Sequence, residues 1–160
     1  TLTERIGEFL KKPRGNPEKV HVESFLVDIL ARFSPAPQLY SKEESGDPFA
    51  VFIDPGRFRS IVENLVLNAL ESGSPRDEVW VRVEWGDRKV RIAVLDRGEG
   101  VDGKDVKELF EPFVTTKSSG SGIGLSIASR FVESAGGTLR LWPRSGGGTA
   151  AVIELPDTER

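Results

Sequence analysis

Apolar side chains recur at the spacing of an α-helix in three stretches, residues 25–33, 55–72 and 123–135. Each stretch is bounded by residues that commonly start or stop a helix. Two prolines follow the first stretch, and a Gly-Gly pair follows the third. Asp54 precedes the second stretch as a candidate N-cap, with Pro55 at the first helical position. The pattern therefore predicts three helices that each bury one face.

Short strands are predicted where apolar and polar residues alternate, at residues 19–22, 39–41, 50–53, 79–85, 90–95, 139–142 and 149–155. Gly86 and Asp87 form the expected turn of one hairpin, and the three glycines at 146–148 form that of another. Helices interspersed with hairpins are typical of an α/β sandwich with a mostly antiparallel or mixed sheet. Strand–helix–strand units do not repeat, which disfavours a Rossmann fold.

Composition excludes several classes of function. The chain has 160 residues, enough for one domain with a substantial core, and its net charge of −3 offers no basic surface for nucleic acid. Without cysteine, and with a single histidine, it has no disulfide framework, zinc cluster or His-rich metal site. No apolar run could span a membrane and no signal peptide is evident. We therefore expect a cytoplasmic domain without direct membrane contact.

The N-terminal residues 1–12 also show helical spacing, and Pro13 would stop that helix. This short amphipathic piece has no partner within its own segment. We interpret it as the end of a longer helix from an upstream domain, with a frayed terminus as the alternative. A first residue other than Met indicates that the chain was cut from a longer protein.

Two asparagines, Asn64 and Asn68, lie one turn apart on the predicted helix 55–72. Asparagine is a poor helix former and is costly to bury. Beside an apolar face, the pair therefore indicates a polar pocket, with two surface amides as the alternative.

Two glycine clusters bound a long central segment. One, at 98–100, follows the predicted strand 90–95, and the other, at 120–124, opens the predicted helix 123–135. Glycine permits positive φ angles and close approach of the backbone to a ligand. The start of a helix also presents unpaired N–H groups and the positive end of its dipole. This arrangement suits a polyanion such as a nucleoside triphosphate.

Five short motifs stand in the order known from one family of ATP-binding domains. They are an asparagine box at 64–69, a first glycine box at 96–100, a phenylalanine box at 110–113, a second glycine box at 120–125 and a last short motif at 148–149. The chain therefore resembles the ATP-binding catalytic domain of a sensor histidine kinase of the GHKL clan, and most closely the nitrogen-regulator-like type.

This resemblance covers residues 54–155. It implies the Bergerat ATP-binding fold, an α/β two-layer sandwich in which a mixed sheet of about five strands is backed by three helices. It also divides the chain into residues 1–13, the end of an upstream dimerisation helix and its linker, and residues 14–160, the catalytic domain.

The resemblance further implies that Mg-ATP binds between two helices and a flexible lid. Asp96 would accept a hydrogen bond from the exocyclic amine of adenine, and Gly98 and Gly100 would let the backbone pass close to the base. Asn68 would be a ligand of Mg²⁺. Asn64 would contact a phosphate or the water shell of the metal.

The implied catalytic residues are Asn64 and Lys117, the latter as a point charge on the β- or γ-phosphate. The remaining nucleotide contacts implied by the resemblance are Val101, Thr115, Thr116, Gly120, Ser121, Gly122, Ile123, Gly124, Leu125 and Thr149. Phe110 and Phe113 would pack in the lid. Glu71 departs from the basic residue that many relatives carry, so any phosphate contact from that position would be lost.

The implied reaction transfers the γ-phosphoryl group of ATP to a histidine on the helix bundle of a homodimeric parent, whose second partner is a response regulator receiver domain. His21 lies in a strand-like run and is interpreted as structural, so the acceptor lies outside this chain. The alternatives are an ATP-hydrolysing switch of the chaperone, mismatch-repair or topoisomerase type, and an anti-sigma-factor kinase. Both tend to carry Glu where Asn64 stands, and Glu63 lies about 100° round the helix.

Overall fold

A computed structural model describes residue 4 and residues 11–42, 50–99 and 124–157. Its elements are β1 (Glu18–His21), α1 (Val22–Leu30), β2 (Gln38–Lys42), β3 (Ala50–Ile53), α2 (Pro55–Glu71), a 3-10 turn (Arg76–Glu78), β4 (Trp80–Gly86), β5 (Lys89–Leu95), α3 (Gly124–Ser134), β6 (Thr138–Pro143) and β7 (Thr149–Pro156). Glu4 and Lys11 are also helical, in agreement with the helix predicted before Pro13.

Five strands form one mixed sheet in the order β2-β4-β5-β7-β6. Strands β2 and β4 are parallel, and the other neighbours are antiparallel. The predicted α/β sandwich, with a five-stranded mixed sheet and three helices, is thus confirmed. Strands β1 and β3 pair with each other in a separate two-stranded sheet, which was not predicted.

Strand alternation creates the two layers. In β4, the side chains of Val81 and Val83 are buried, whereas Arg82 between them is exposed. The buried residues of β4, β5 and β7 belong to one apolar cluster with those of the three helices. On the opposite face Arg91 pairs with Glu154 at 3.2 Å. One face of the sheet therefore carries the helices, and the other faces solvent.

Helix α2 forms the centre of the helical layer. Asp54 caps its start, because Oδ1 accepts hydrogen bonds from the N–H groups of Gly56 at 2.9 Å and Arg57 at 3.2 Å. At the other end the Ser72 hydroxyl donates to the carbonyl of Ala69 at 2.7 Å. The buried face is the predicted one, Phe58, Ile61, Val62, Leu65, Val66 and Ala69.

Several boundaries differ from the prediction, most of them by one residue. Strand β1 ends at His21, because the fully buried Val22 already opens α1. Helix α1 ends at Leu30, and Phe33 lies in the turn that follows. The turn between β4 and β5 consists of Asp87 and Arg88, both with positive φ, since Gly86 is still paired with Lys89 in the ladder. The predicted Gly86–Asp87 turn was therefore one residue early.

The prediction of a helical turn at 106–110 and of a lid that includes the phenylalanine box falls outside the residues that the structure describes. Within the described ranges no helix is both long and apolar enough to cross a bilayer.

Candidate functional site

Asp96 directly follows β5, at the edge of the sheet. The residue is only 6% exposed. Its Oδ1 accepts hydrogen bonds from the backbone N–H groups of Gly98 at 2.9 Å and Thr149 at 3.2 Å. Among the described residues no hydrogen bond to Oδ2 is present. The carboxylate is thus held through one oxygen, and the second can accept a hydrogen bond from a ligand.

The turn after Asp96 is fixed against the C-terminal end of α2. A Cβ on Gly98 would lie 2.0 Å from Ser72 Oγ and 2.4 Å from its carbonyl oxygen, so a side chain does not fit there. The N–H of Glu99 donates to that carbonyl at 3.0 Å. The N–H of Arg97 donates to Ser74 Oγ at 2.9 Å. Close packing against α2 therefore explains the first of the two predicted glycines.

The hairpin between β6 and β7 closes the other side of Asp96. A Cβ on Gly148 would lie 2.0 Å from the Asp96 carbonyl oxygen, and the φ of this glycine is +96°. The Asp96 N–H donates to the Thr149 carbonyl at 3.0 Å. Gly148 and Thr149 thus bring β7 against the backbone and the carboxylate of Asp96.

Two arginines that sequence reasoning missed surround the same backbone. Arg97 Nη1 donates to the carbonyls of Ser145 at 2.7 Å and Gly147 at 2.9 Å. Arg144 Nη1 donates to the carbonyl of Asp96 at 2.9 Å. Burial lowers the pKa of Arg144, and the charge of Arg97 lowers it further, whereas two nearby carboxylates oppose this shift. The one sequence feature that could have indicated this contact was the positive charge of Arg97 inside the first glycine box.

Asn64 faces the start of α3. Its Nδ2 donates to the carbonyl of Ser60 at 2.9 Å, within its own helix. Its Oδ1 lies 3.0 Å from the position that a Cβ on Gly124 would take. Gly124 is the first described residue of α3, and the first N–H groups of a helix generally lack helical partners. The amide oxygen of Asn64 therefore lies beside the first described turn of α3, and the polar pocket stays a prediction.

The described site residues form two groups joined by α2. One group is Asn64 with Gly124, and the other is Asp96 with Gly98 and Thr149 beside Ser72. Along α2 the two groups are separated by about 12 Å, the rise over the intervening residues. A ligand that reaches both must be elongated, with a hydrogen-bond donor at one end.

Asn68 and Leu125 are half-buried and lie on the two helices of this site, α2 and α3. The predicted site residues that fall outside the described ranges are Gly100, Val101, Thr115, Thr116, Lys117, Gly120, Ser121, Gly122 and Ile123.

A second contact missed by sequence reasoning lies at the N-terminal end of α2. Arg57 Nη2 donates to the carbonyl of Lys12 at 2.7 Å, and its Nη1 donates to that of Pro13. The same guanidinium lies over the ring of Phe131 in α3, 4.7 Å from its centroid. Asp54 Oδ2 accepts from the N–H of Asn16 at 2.8 Å. The segment before β1 is thus bonded to the start of α2, and Arg57 also links this end of α2 to α3.

Comparison with known proteins identifies the family of this chain. Residues 53–159 match the family described as "Histidine kinase-, DNA gyrase B-, and HSP90-like ATPase". This match covers more than half of the chain, and the chain belongs to that family.

Within the family the chain is similar to sensor kinases. The C4-dicarboxylate transport sensor protein DctS of Rhodobacter capsulatus is 33% identical, over 95% of this chain and 24% of its own length. Sporulation kinase D of Bacillus subtilis (strain 168) is 29% identical, over 97% of this chain and 32% of its own length. The chain thus spans between 24% and 32% of the length of these two curated relatives.

Solved structures of sensor histidine kinases agree with this family assignment. The mycobacterial sensor histidine kinase MprB has a TM-score of 0.76 and 26% identity, with 90% of this chain and 99% of that chain covered. The crystal structure of full-length ShkA in complex with AMPPNP also gives 0.76 and 26%, with 99% of this chain and 36% of that chain covered. The chain is an ATP-binding catalytic domain of the sensor histidine kinase type.

Proposed function

We propose that this chain binds Mg-ATP and donates the γ-phosphoryl group to a histidine on a dimerisation helix bundle, as part of cytoplasmic two-component signalling. In this proposal, residues 1–13 are the end of that bundle with its linker, and residues 14–160 are the catalytic domain. The observation that carries the proposal is the buried carboxylate of Asp96, with one oxygen held by two N–H groups.

Asp96 is proposed to recognise adenine. An ionised carboxylate only accepts hydrogen bonds, so it favours a base with an amino group at the matching position. Adenine has such a group, whereas guanine and hypoxanthine present a carbonyl oxygen there, which the carboxylate repels. The contacts of Gly98 with α2 and of Gly148 with Asp96 keep the backbone compact around this acceptor. Thr149 holds the carboxylate through its N–H.

Asn64 and Asn68 are proposed to serve the phosphate end of the nucleotide. Their amide oxygens are hard neutral ligands of the kind that Mg²⁺ accepts. We assign Asn68 as the metal ligand, and Asn64 to a phosphate or a metal-bound water. Mg²⁺, when bound, would neutralise charge on the phosphates during transfer. The proximity of Asn64 Oδ1 to Gly124 supports this assignment, because the start of α3 favours anions.

The proposal assigns the remaining contacts to the segment between β5 and α3. Lys117 would be the cation on the β- or γ-phosphate, and Leu125 would close the second glycine box at the start of α3. The other proposed contacts are Gly100, Val101, Thr115, Thr116, Gly120, Ser121, Gly122 and Ile123.

Simple ATP hydrolysis is less well supported than phosphoryl transfer. Hydrolysis by a conformational-switch ATPase needs a base that activates water. The amide of Asn64 cannot take a proton at neutral pH, and Glu63 lies about 100° away round α2. A histidine acceptor on another domain supplies the nucleophile instead. We propose this helix bundle, and a receiver domain downstream of it, as the protein partners.

The experiment compares calorimetric binding of Mg-ATP and Mg-ITP by the wild type, Asp96→Asn and Asp87→Asn. We expect Asp96→Asn to lose about 10- to 100-fold in ATP affinity, because a charged hydrogen bond is removed. Asp87→Asn is the matched control, since this exposed turn residue has a positive φ that asparagine tolerates. Unchanged ATP affinity in Asp96→Asn would contradict the proposed role of Asp96 in nucleotide binding.

Phosphate release by the isolated chain is measured alongside. Binding with negligible release, followed by transfer when the parent's helix bundle is added, supports the kinase reaction. Steady release that Glu63→Ala abolishes would favour the hydrolytic alternative.

A further inference from the structure

The hairpin that supports Asp96 has a backbone with little intrinsic stiffness. Its three consecutive glycines, 146–148, all have positive φ. Glycine loses more conformational entropy on folding than any other residue, so this turn needs outside contacts to hold one conformation. Inside the hairpin, the N–H of Arg144 donates to the Gly148 carbonyl, and the N–H of Gly147 donates to the Arg144 carbonyl, both at 3.1 Å. Further contacts come from the end of β5.

Arg97 and Arg144 donate hydrogen bonds to backbone carbonyls on opposite sides of this contact, and we call this pair the arginine clasp. Arg97, next to Asp96, reaches the hairpin and donates to two of its carbonyls. Arg144, in the hairpin, reaches back and donates to the carbonyl of Asp96. Each side chain therefore satisfies backbone acceptors on the segment that carries the other. Hydrogen bonds with a charged donor are about twice as strong as neutral ones.

The clasp brings two like charges together. The charge of Arg97 lowers the pKa of Arg144 in addition to the effect of burial, while Asp96 and Glu78 raise it. Two guanidinium groups are thus held near each other against their mutual repulsion. The charge of Asp96 is one of the two that offset this repulsion, so the carboxylate helps to hold the clasp together.

The hairpin conformation determines how firmly the carboxylate is held. Thr149 directly follows Gly148, and its N–H is one of the two donors to Asp96 Oδ1. If the hairpin moves, this donor moves with it, and only the N–H of Gly98 still holds Oδ1. A carboxylate with a single donor can rotate, so the direction of Oδ2 is no longer fixed.

We propose that Arg97 and Arg144 are positioning residues that give Asp96 its selectivity for a base with an exocyclic amino group. This inference rests on the proposed recognition of adenine by Asp96. A fixed Oδ2 attracts the amine of adenine and repels the carbonyl oxygen of hypoxanthine at the same place. A carboxylate that can turn admits a water between the two oxygens, and the penalty against hypoxanthine falls.

The test measures the affinities of Mg-ADP and Mg-IDP by calorimetry for the wild type, Arg97→Ala and Arg144→Ala. We expect the ratio of ADP to IDP affinity to fall about tenfold in each variant, equivalent to about 1.4 kcal/mol. Arg140→Ala is the matched control, since this arginine is exposed on β6, outside the clasp. Its ratio should equal that of the wild type.

Conservative variants separate positioning from folding. Arg144→Lys keeps the charge and one donating nitrogen, so we expect it to retain part of the selectivity that Arg144→Ala loses. If Arg144→Ala does not fold, Arg97→Ala carries the test, because Arg97 is an exposed side chain. In the Asp96→Asn background, removal of Arg144 should change the ratio no further, because the acceptor that the clasp positions is gone.

The possible negative results have different meanings. If the wild type does not distinguish ADP from IDP, or Asp96→Asn leaves the ratio unchanged, the proposed role of Asp96 is wrong. If Asp96→Asn abolishes the discrimination but both clasp variants keep the wild-type ratio, the clasp is structural only and this inference is overturned. An equal loss of ADP and IDP affinity in the clasp variants overturns it as well.

Discussion

The two ends of helix α2 are fixed by different physical means. At the N-terminal end, charged side chains make the contacts. Asp54 accepts hydrogen bonds from three backbone N–H groups, and Arg57 donates to carbonyls of the preceding segment. At the C-terminal end, neutral groups pack closely, with Gly98 against Ser72 and no space for a side chain between them. Hydrogen bonds there join the N–H of Glu99 to the carbonyl of Ser72 and the N–H of Arg97 to the hydroxyl of Ser74.

This difference indicates two different tasks. Steric contact at short range allows only one arrangement of the two segments, which suits the end where Asp96 is proposed to recognise a base. Electrostatic contacts at a half-exposed helix end are weaker and adjust over longer distances. Such contacts suit the junction of α2 with the segment before β1, residues 11–16. Predictions that disturb each end should therefore differ in size and in kind.

The largest effect is expected from Gly98→Ala. The new Cβ would lie 2.0 Å from Ser72 Oγ and 2.4 Å from its backbone oxygen, so the turn or α2 must shift. We expect a loss of about 2–3 kcal/mol in the free energy of unfolding, together with loss of nucleotide binding. Urea denaturation and calorimetry measure the two effects. Gly86→Ala is the control, since nothing lies within 4 Å of its Cβ position. Equal stability of both variants would refute the steric argument.

Loss of the Asp54 cap should have a smaller effect, confined to stability. Asp54→Ala removes the acceptor for the N–H groups of Gly56, Arg57 and Asn16, and an N-cap contributes about 1 kcal/mol. We expect that loss in urea denaturation, with ADP affinity unchanged. Asp54→Asn, which still accepts hydrogen bonds, should retain most of the stability. A large drop in ADP affinity would show that this end also shapes the nucleotide site.

Truncation of Arg57 should act locally. Arg57→Ala removes the hydrogen bonds to the carbonyls of Lys12 and Pro13 and the contact with Phe131. We expect the free energy of unfolding to change by under about 1 kcal/mol, because these groups are partly exposed. Hydrogen exchange at residues 11–16 should speed up while exchange in β5 stays the same. Unaltered exchange at 11–16 would mean that Arg57 does not hold this segment.

The smallest expected effect is on the pH dependence of the free energy of unfolding. Burial alone would raise the pKa of Asp54, but hydrogen bonds from the N–H groups of Asn16, Arg57 and Gly56 and the charge of Arg57 lower it overall. A folded-state pKa below the unfolded value stabilises the protein above the unfolded pKa, near 3.9, and this contribution is lost as the pH falls through the folded pKa. The stability difference between the wild type and Asp54→Asn should therefore narrow below about pH 4. A difference that is constant between pH 3 and 7, roughly the range in which carboxyl groups titrate, would contradict this assignment.

Local sequence determined the helices, most strands and the identity of the site motifs. The spacing of apolar residues set the buried face of α2, and Asp54 with Pro55 set its start, because caps depend on neighbours in the chain. Glycines marked both places where another segment approaches the backbone of the site, at Gly98 and Gly148. These features depend on periodicity and backbone geometry, which can be read without knowing the partner segment.

Tertiary structure alone decided which segments meet. The parallel pairing of β2 with β4, the separate sheet of β1 and β3, and the exact position of the Asp87–Arg88 turn depend on strand register. The roles of Arg57, Arg97 and Arg144 depend on carbonyl groups far away in the chain. Every residue has a similar backbone carbonyl, so the sequence near an arginine does not indicate which carbonyl its side chain will bond to. Only the folded chain, by bringing the two segments within 3 Å of each other, selects one.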